Sequence, residues 1–370
     1  FLTVPAEALV SSMKEHQKYF HMVDEQGKLK PNFITIANIE SKDPVQVIAG
    51  NERVIRPRLS DAAFFFETDK KTSLAQRVDK LDSVVFQKQL GTLRDKTWRV
   101  MKVAAGLAER MGTDPALAER AALLCKTDLL TEMVLEFADM QGIAGYYYAL
   151  HDGEPAEVAA AIAQQYWPKF AGDRLPESLT ACALGLADRL DTLVGIFGIG
   201  QPPTGSRDPF ALRRASLAVL RIMVERQLDL DLRDCLQLAA DQYPEGLIAP
   251  GSTDQALEYM VERFRAWYEE ESIPAEVFKA VSARQLSQPL DIQRRVHAVH
   301  AFTELPEAPA LAAANKRVSN ILDKLEDSHA FGEVNADLLV EPEEIALAEK
   351  LSALTEVARA HLAGDEYTAT

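Results

Sequence analysis

The sequence predicts a mainly α fold in which a small β-containing N-terminal module is followed by two helical domains. In residues 1–72, turn residues separate short apolar segments, as in a set of strands. Beyond Thr72, apolar residues recur every three or four positions, as they do along one face of a helix. The 370 residues are 47% hydrophobic and 26% charged, which is an ordinary globular composition, and this length suits two or three domains.

The N-terminal module, residues 1–72, is predicted to form short strands. Asp24-Glu25-Gln26-Gly27 is predicted to be a hairpin turn, because Gly27 readily takes the positive φ that such a turn needs. The run Ala62–Phe66 also fits the start of a helix, since periodicity does not separate the two in so short a segment. The chain opens at Phe1 rather than Met, so we expect a piece of a longer protein. The predicted strands are Tyr19–Val23, Phe33–Ile39, Val45–Ile48 and Ala62–Glu67.

Residues 73–248 are predicted to form the first helical domain. Pro115 stands in a good context for a helix start. The segment Tyr243–Ser252, rich in Pro and Gly, marks the boundary to a second helical domain over 249–370. Two apolar stripes are predicted to face the core, namely Val100, Val103, Ala104 and Leu107, and Ala118, Ala121, Ala122 and Leu124. The helices are predicted to break at Gly142–Gly145, Asp152-Gly153, Pro168 and Gly198–Gly205.

Charge is distributed unevenly along the chain. The formal net charge of −16 argues against a protein that coats nucleic acid non-specifically. Residues 207–226 nevertheless carry a local net charge of +3, whereas residues 318–370 carry −9. The total therefore does not exclude a local basic surface.

Cysteine usage and hydropathy predict the compartment. Cys125, Cys182 and Cys235 are too far apart in sequence for a disulfide framework or a thiolate zinc site. No apolar run approaches the roughly 20 residues that cross a bilayer. We therefore expect a cytoplasmic protein that has no membrane partner.

The segment Pro203–Arg214 is the most informative motif. Asp208 is predicted to be the N-cap of a helix and Pro209 its first residue. Arg214 and Arg221 are seven residues apart and share a helix face, with Arg207 in the loop before them. Guanidinium groups beside a helix N-terminus are suited to phosphate. Judged from spacing alone, a capped surface helix with ion-paired arginines is the favoured alternative.

A second polar cluster lies in the last predicted domain. Val318, Ile321, Leu322 and Leu325 are predicted to be the core stripe of a helix. The same helix presents Asn315, Lys316, Arg317 and Asn320, and the preceding helix adds Arg294, Arg295, His297 and His300. Such side chains can contact single-stranded RNA by hydrogen bonds and stacking. Local capping and solvated charge are the alternative.

The helical domain also invites comparison with HD-type phosphohydrolases, in which His and Asp side chains hold a metal ion. The expected His-Asp position holds Cys125-Lys126, and the helix near Val100 supplies no His. Asp188 is the one ligand with a counterpart. We therefore predict no metal site and no catalytic residue. Asp128, Glu132 and Glu136, spaced by four, are predicted to be a solvated helix face.

Several longer motifs, in order, resemble the β subunit of bacterial α2β2 glycyl-tRNA synthetase, and the resemblance runs nearly end to end over what corresponds to the C-terminal half of that subunit. The motifs are Met13–Phe20, Gly50–Ala62, Lys126–Val134, Leu186–Phe197, Pro203–Arg214 and Asn315–Leu322.

The resemblance implies a division of labour between two subunits. The α subunit would bind glycine, ATP and Mg and form the adenylate, while this chain binds tRNA(Gly) and no cofactor. Residues 1–72 would belong to the central body of the subunit. Residues 73–248 would be a degenerate HD-like domain, and residues 249–370 a helical anticodon-binding domain like that of arginyl-tRNA synthetases. No DNA partner is implied.

Three hypotheses follow from the sequence. The first is the tRNA-binding β subunit, the second a metal-dependent HD phosphohydrolase, and the third a scaffold whose acidic C-terminal residues bind a protein. The predicted tRNA contacts are Arg207, Arg213, Arg214, Arg221, Arg294, Arg295, Asn315, Lys316, Arg317 and Asn320.

Overall fold

The computed structural model describes residues 1–38, 40–322, 335–364 and 367, and this part of the chain is mainly helical, as predicted. It divides into two compact units, Phe1–Met260 and Val261–Thr370. The predicted domain boundaries at residues 72 and 248 stay predictions.

The first unit opens with a helix and a β-hairpin. The predicted turn is confirmed, because Gly27 has a φ of 77° and its amide donates to the carbonyl of Asp24 over 3.0 Å. Tyr19 anchors the hairpin through a ring stacked on Phe33, with 4.8 Å between ring centroids. The elements are α1 (Ala6–Ser11), the antiparallel strands β1 (Phe20–Val23) and β2 (Leu29–Ile34), and α2 (Pro44–Asp69).

Helix α2 corrects the predicted strand Val45–Ile48 and agrees with the helical alternative for the run Ala62–Phe66. Val45–Ile48 and Ala62–Glu67 both lie inside this 26-residue helix. The Asp43 carboxylate accepts from the amide of Gln46, so the helix starts from a capped position that is followed directly by proline. Beyond it, buried residues lie seven and four apart, which is helical rather than alternating spacing. They are Ile55, Ala62 and Phe66.

Asp69, at the end of α2, joins this N-terminal part to the helices that follow. Its buried carboxylate accepts from the backbone amides of Glu132 and Met133, each over 3.0 Å. The hydroxyl of Tyr148 donates to the same carboxylate over 2.9 Å. Residues 1–69 are therefore tied to the helical core by charge-assisted hydrogen bonds.

The rest of the first unit is a helical bundle built around α9, which is buried along most of its length. Both predicted apolar stripes are confirmed as buried in the core. The remaining elements are α3 (Leu74–Arg77), β3 (Val85–Gln87), β4 (Gly91–Thr92), α4 (Leu93–Met111), α5 (Pro115–Leu124), α6 (Glu132–Glu136), α7 (Ile143–His151), α8 (Ala156–Gln164), α9 (Leu179–Gly198), α10 (Leu212–Glu225), α11 (Leu232–Ala240) and α12 (Ser252–Val261).

The second unit has an aromatic core, in which Tyr268 stacks on Phe264 with 5.3 Å between ring centroids. Its helices are α13 (Arg263–Glu270), α14 (Ala275–Ser282), α15 (Pro289–Thr303), α16 (Ala308–Leu322) and α17 (Pro342–Ala363).

The predicted core stripe of α16 is wrong for the residues that can be judged. Val318, Ile321 and Leu322 are all exposed, and Leu325 lies outside the described residues. The spacing of the apolar residues shows which side of the helix is apolar. It does not show whether another element of the structure covers that side.

No helix within the described residues is both long enough and apolar enough to cross a membrane.

Candidate nucleic-acid interface

The start of α10 is held by Asp208, although not as the sequence predicts. The Asp208 carboxylate accepts from the amides of Leu212 and Arg213, over 2.8 and 3.0 Å. The helix therefore begins at Leu212, and the prediction of Pro209 as its first residue is wrong. The reason is Ala211, whose left-handed φ of 55° turns the chain once more before the helix starts.

Three of the predicted arginines lie together at this helix start. Arg207 and Arg214 are exposed, and the guanidinium of Arg213 donates to the carbonyl of Gly205. Arg221, two turns further along, is bound within the chain. It pairs with Glu225 at 2.6 Å and donates to the carbonyls of Phe170 and Asp173, over 3.4 and 3.0 Å. Within α10, the side chain of Arg214 faces solvent while that of Arg221 holds a neighbouring loop.

The other predicted residues lie in the second unit. Arg295 pairs with Asp291 at 2.9 Å, and its guanidinium lies 4.2 Å from the ring centroid of Tyr367. Arg294 is exposed on the same helix, α15. The four residues of α16 that were predicted to contact tRNA are all exposed, namely Asn315, Lys316, Arg317 and Asn320.

The first unit contains a buried cation cluster at Asp188. Lys126 Nζ lies 3.0 Å from Asp188 Oδ2, and Lys96 Nζ lies 3.1 Å from Asp188 Oδ1. Burial raises the pKa of Asp188, but the two ammonium groups outweigh it and hold that pKa below the ordinary value. Lys126 also donates to Gln165 Oε1 over 2.9 Å. The carboxylate is thus neutralised by the protein itself.

Asp191, one turn after Asp188, shares Lys96 with it and adds a third cation, Arg99. Arg99 Nε donates to Asp191 Oδ1 over 2.6 Å, and Lys96 Nζ donates to Asp191 Oδ2 over 2.9 Å. The hydroxyl of Tyr243 donates to the Asp191 carbonyl over 2.8 Å. Sequence reasoning missed this network. Its signal is present, because Lys96 and Arg99 are spaced by three residues on α4, as Asp188 and Asp191 are on α9.

This geometry gives no support to a metal-dependent hydrolase. A divalent cation at Asp188 would face two ammonium groups within 3.1 Å of the carboxylate. Among the described residues, no group of three His, Cys, Asp or Glu side chains is arranged to hold a metal ion. The thiol of Cys125 is buried, and burial raises its pKa to about 12, which disfavours the thiolate that binds metal.

The predicted carboxylate row is wrong at its first member. Asp128 is buried in the 3₁₀ turn Thr127–Leu130, whereas Glu132 and Glu136 are exposed on α6. Asp128 Oδ2 accepts from the amide of Gly142 over 2.6 Å. Burial raises the pKa of Asp128 to about 6. The break between the two helical segments at Thr131 separates residues that an unbroken helix would align.

Comparison with known proteins identifies the class of protein. Residues 1–283 match the family model described as glycyl-tRNA synthetase beta subunit. Because this match covers well over half of the chain, the chain belongs to the glycyl-tRNA synthetase beta subunit family.

Close relatives agree with the family match. The chain is 59% identical over 352 residues to the glycine–tRNA ligase beta subunit of Marinobacter nauticus, covering 95% of this chain and 50% of the relative. It is 55% identical over 368 residues to that of Hahella chejuensis, covering 100% and 53%, respectively. It is 60% identical over 324 residues to that of Chromohalobacter salexigens, covering 88% and 47%. The chain thus spans about half the length of the curated relatives that it matches.

Proposed function

We propose that this chain is a tRNA-binding part of a glycine–tRNA ligase beta subunit and supports the ATP-dependent attachment of glycine to tRNA(Gly) by a separate α subunit. The family match over residues 1–283 is the observation that carries the proposal. We propose that the two subunits assemble as α2β2 in the cytoplasm, and that ATP and Mg²⁺ are held by the α subunit.

Two exposed groups of side chains suit contact with tRNA. Arg207 and Arg214 lie exposed at the start of α10, where their guanidinium groups can contact phosphate without first breaking a buried ion pair. The exposed residues of α16, Asn315 to Asn320, combine amides with cations, which suits recognition of unpaired bases. We propose that residues 249–370 are an anticodon-binding domain and residues 73–248 an HD-like domain whose metal position is filled by lysine. Arg221 and Arg295 are assigned supporting roles, because their guanidinium groups are engaged within the chain.

The direct test is a titration of tRNA(Gly) at several salt concentrations. Phosphate contacts require log affinity to fall with log salt, and Arg214→Ala should flatten that slope by about one unit. The matched control is Arg233→Ala, which removes another exposed arginine, one paired with Asp254. Affinity for tRNA(Gly) no higher than for an unrelated tRNA would overturn the proposal.

Aminoacylation tests the proposed division of labour. We expect the α subunit alone to charge little tRNA, and the α subunit with the complete β subunit to charge it efficiently. In a parallel size-exclusion experiment, the scaffold hypothesis predicts that α binds this chain while tRNA(Gly) does not. That result would replace tRNA binding with protein binding as the role of the chain.

A further inference from the structure

The loop of residues 167–176, here called the Phe170 loop, is held in place by arginines from two helices. Arg189 of α9 donates to the carbonyls of Trp167 and Pro168, over 3.0 and 3.4 Å. Arg221 of α10 donates to the carbonyls of Phe170 and Asp173, and Arg226, the residue directly after α10, donates to that of Leu175 over 3.3 Å. Fixing a loop backbone costs conformational entropy, and these hydrogen bonds offset part of that loss.

The braced loop presents an aromatic side chain to solvent. Phe170 is 66% exposed at the outer part of the loop. In the same loop, Lys169 and Arg174 are also exposed, and the Arg174 guanidinium lies 3.5 Å from the ring centroid of Trp167. The loop therefore combines one exposed ring with two cations. This combination is typical of surfaces that stack an unpaired base and hold its phosphates.

The loop also lies on the same side of α10 as the candidate interface. Arg214 precedes Arg221 by seven residues, so the two are about 20° apart around the helix and about 10 Å apart along it. Arg221 contacts the loop backbone directly. The loop therefore lies about two helical turns, or about 10 Å, from Arg214, so that neighbouring nucleotides of one strand can contact both.

We propose that the Phe170 loop binds an unstacked nucleotide of the tRNA, with the Phe170 ring stacked on the base and Lys169 and Arg174 facing the flanking phosphates. Arg221 is a positioning residue that holds the ring in place and does not itself contact RNA. This inference rests on the proposed function and adds to it a specific site and a ligand class, a single-stranded nucleotide.

The test is tRNA(Gly) binding by the complete synthetase. Because the stack between the base and the aromatic ring is lost, Phe170→Ala should raise Kd by about tenfold. Phe170→Trp should keep the affinity within about twofold, and Phe170→Leu should behave like Phe170→Ala, since leucine is apolar but cannot stack. The salt slope should not change, because no phosphate contact is removed. Phe64→Ala is the matched control, since Phe64 is 65% exposed and lies on α2.

The positioning role of Arg221 has its own readout. Arg221→Ala should weaken tRNA binding in the wild-type background and have little further effect in Phe170→Ala, as expected when both changes remove the same contact. Equal, additive effects in both backgrounds would show a separate role for Arg221 and overturn this part.

The outcomes separate failure of the inference from failure of the proposed function. If the wild-type synthetase does not bind tRNA(Gly), the proposed function fails. If Arg214→Ala weakens binding but Phe170→Ala does not, the function stands and the Phe170 site is overturned. If Phe170→Ala instead weakens assembly with the α subunit and leaves tRNA affinity unchanged, the loop is a protein contact and the inference is also overturned.

Discussion

The cations around Asp188 and the cations at the start of α10 lie in the same unit but have opposite environments. Lys96 and Lys126 are buried, and each lies within about 3 Å of a carboxylate. Arg207 and Arg214 are exposed at the start of α10. The comparison shows that the role of a cation in this chain is determined by its burial and by the nearest anion, and not by its residue type.

The physical difference lies in desolvation. A buried ammonium group is tolerated only where carboxylates and other acceptors replace its lost hydration, as at Asp188. A cation at the surface keeps its hydration and remains available to an external phosphate. Arg221 is intermediate, since its side chain is 17% exposed and its guanidinium holds backbone carbonyls.

The largest effect is expected from breaking the buried cluster. Lys126→Ala should lower the free energy of unfolding by about 3–5 kcal/mol, because it leaves the Asp188 charge buried with one ammonium partner fewer. Urea denaturation measures this change. Lys102→Ala, which removes an exposed lysine from the same helical bundle, is the control and should change stability by less than about 0.5 kcal/mol. Equal effects of the two substitutions would show that the ion pairs at Asp188 do not stabilise the fold.

A second large effect, of opposite sign, is expected at Asp128. Its native pKa of about 6 lies above the ordinary 3.8, so the folded state binds the proton more tightly than the unfolded state does. Ionisation therefore reduces stability progressively as the pH rises from about 4 to about 6, and the loss is constant above that. Asp128→Asn removes this loss and should stabilise the protein by about 2 kcal/mol at pH 7.5, after about 1 kcal/mol is allowed for an imperfectly paired amide.

The pH dependence is the control for Asp128→Asn. At pH 4.5 the native carboxyl is already protonated, so the gain should fall below about 1 kcal/mol or disappear. A gain that is the same at both pH values would show that packing, rather than ionisation, explains the stabilisation.

Local rules predicted much of the fold from the sequence. Turn chemistry identified the Gly27 hairpin, and three-to-four spacing identified the buried stripes of α4 and α5. The same rules failed at α2, where Val45–Ile48 was predicted to be a strand and the short run Ala62–Phe66 fitted either a strand or the start of a helix. The capped start at Asp43 was the signal that decides between them.

The candidate site was less predictable, because it depends on contacts between residues distant in sequence. The exposure of Arg214 follows from local helix periodicity. Arg221, in contrast, is unavailable to an external ligand because its guanidinium donates to carbonyls some 50 positions earlier in the chain. Phe170 follows a proline break and has no periodic pattern around it. Its loop is held by three arginines that no spacing rule connects to it.

A smaller effect should separate the two arginines of α10. Arg221→Ala should lower the free energy of unfolding by about 1–2 kcal/mol, since it leaves loop carbonyls without their donors. Arg214→Ala should change it by less than about 0.5 kcal/mol, because the side chain is exposed. Denaturation of the two variants, measured side by side, makes the comparison within one helix. A loss from Arg214→Ala as large as that from Arg221→Ala would mean that Arg214 also supports the fold.

The smallest effect on stability is expected on α16, where Lys316 is exposed. Lys316→Ala should leave the urea midpoint unchanged, because the side chain is exposed in the folded state as well as in the unfolded state. It should still reduce the slope of log affinity for tRNA(Gly) against log salt by about one unit, as expected for the loss of one phosphate contact. The control is Lys279→Ala on α14, an exposed lysine of the same unit outside the predicted interface, which should leave both quantities unchanged. If the two lysine variants flatten the slope equally, the effect comes from the overall charge of the unit, and α16 is not a specific contact surface.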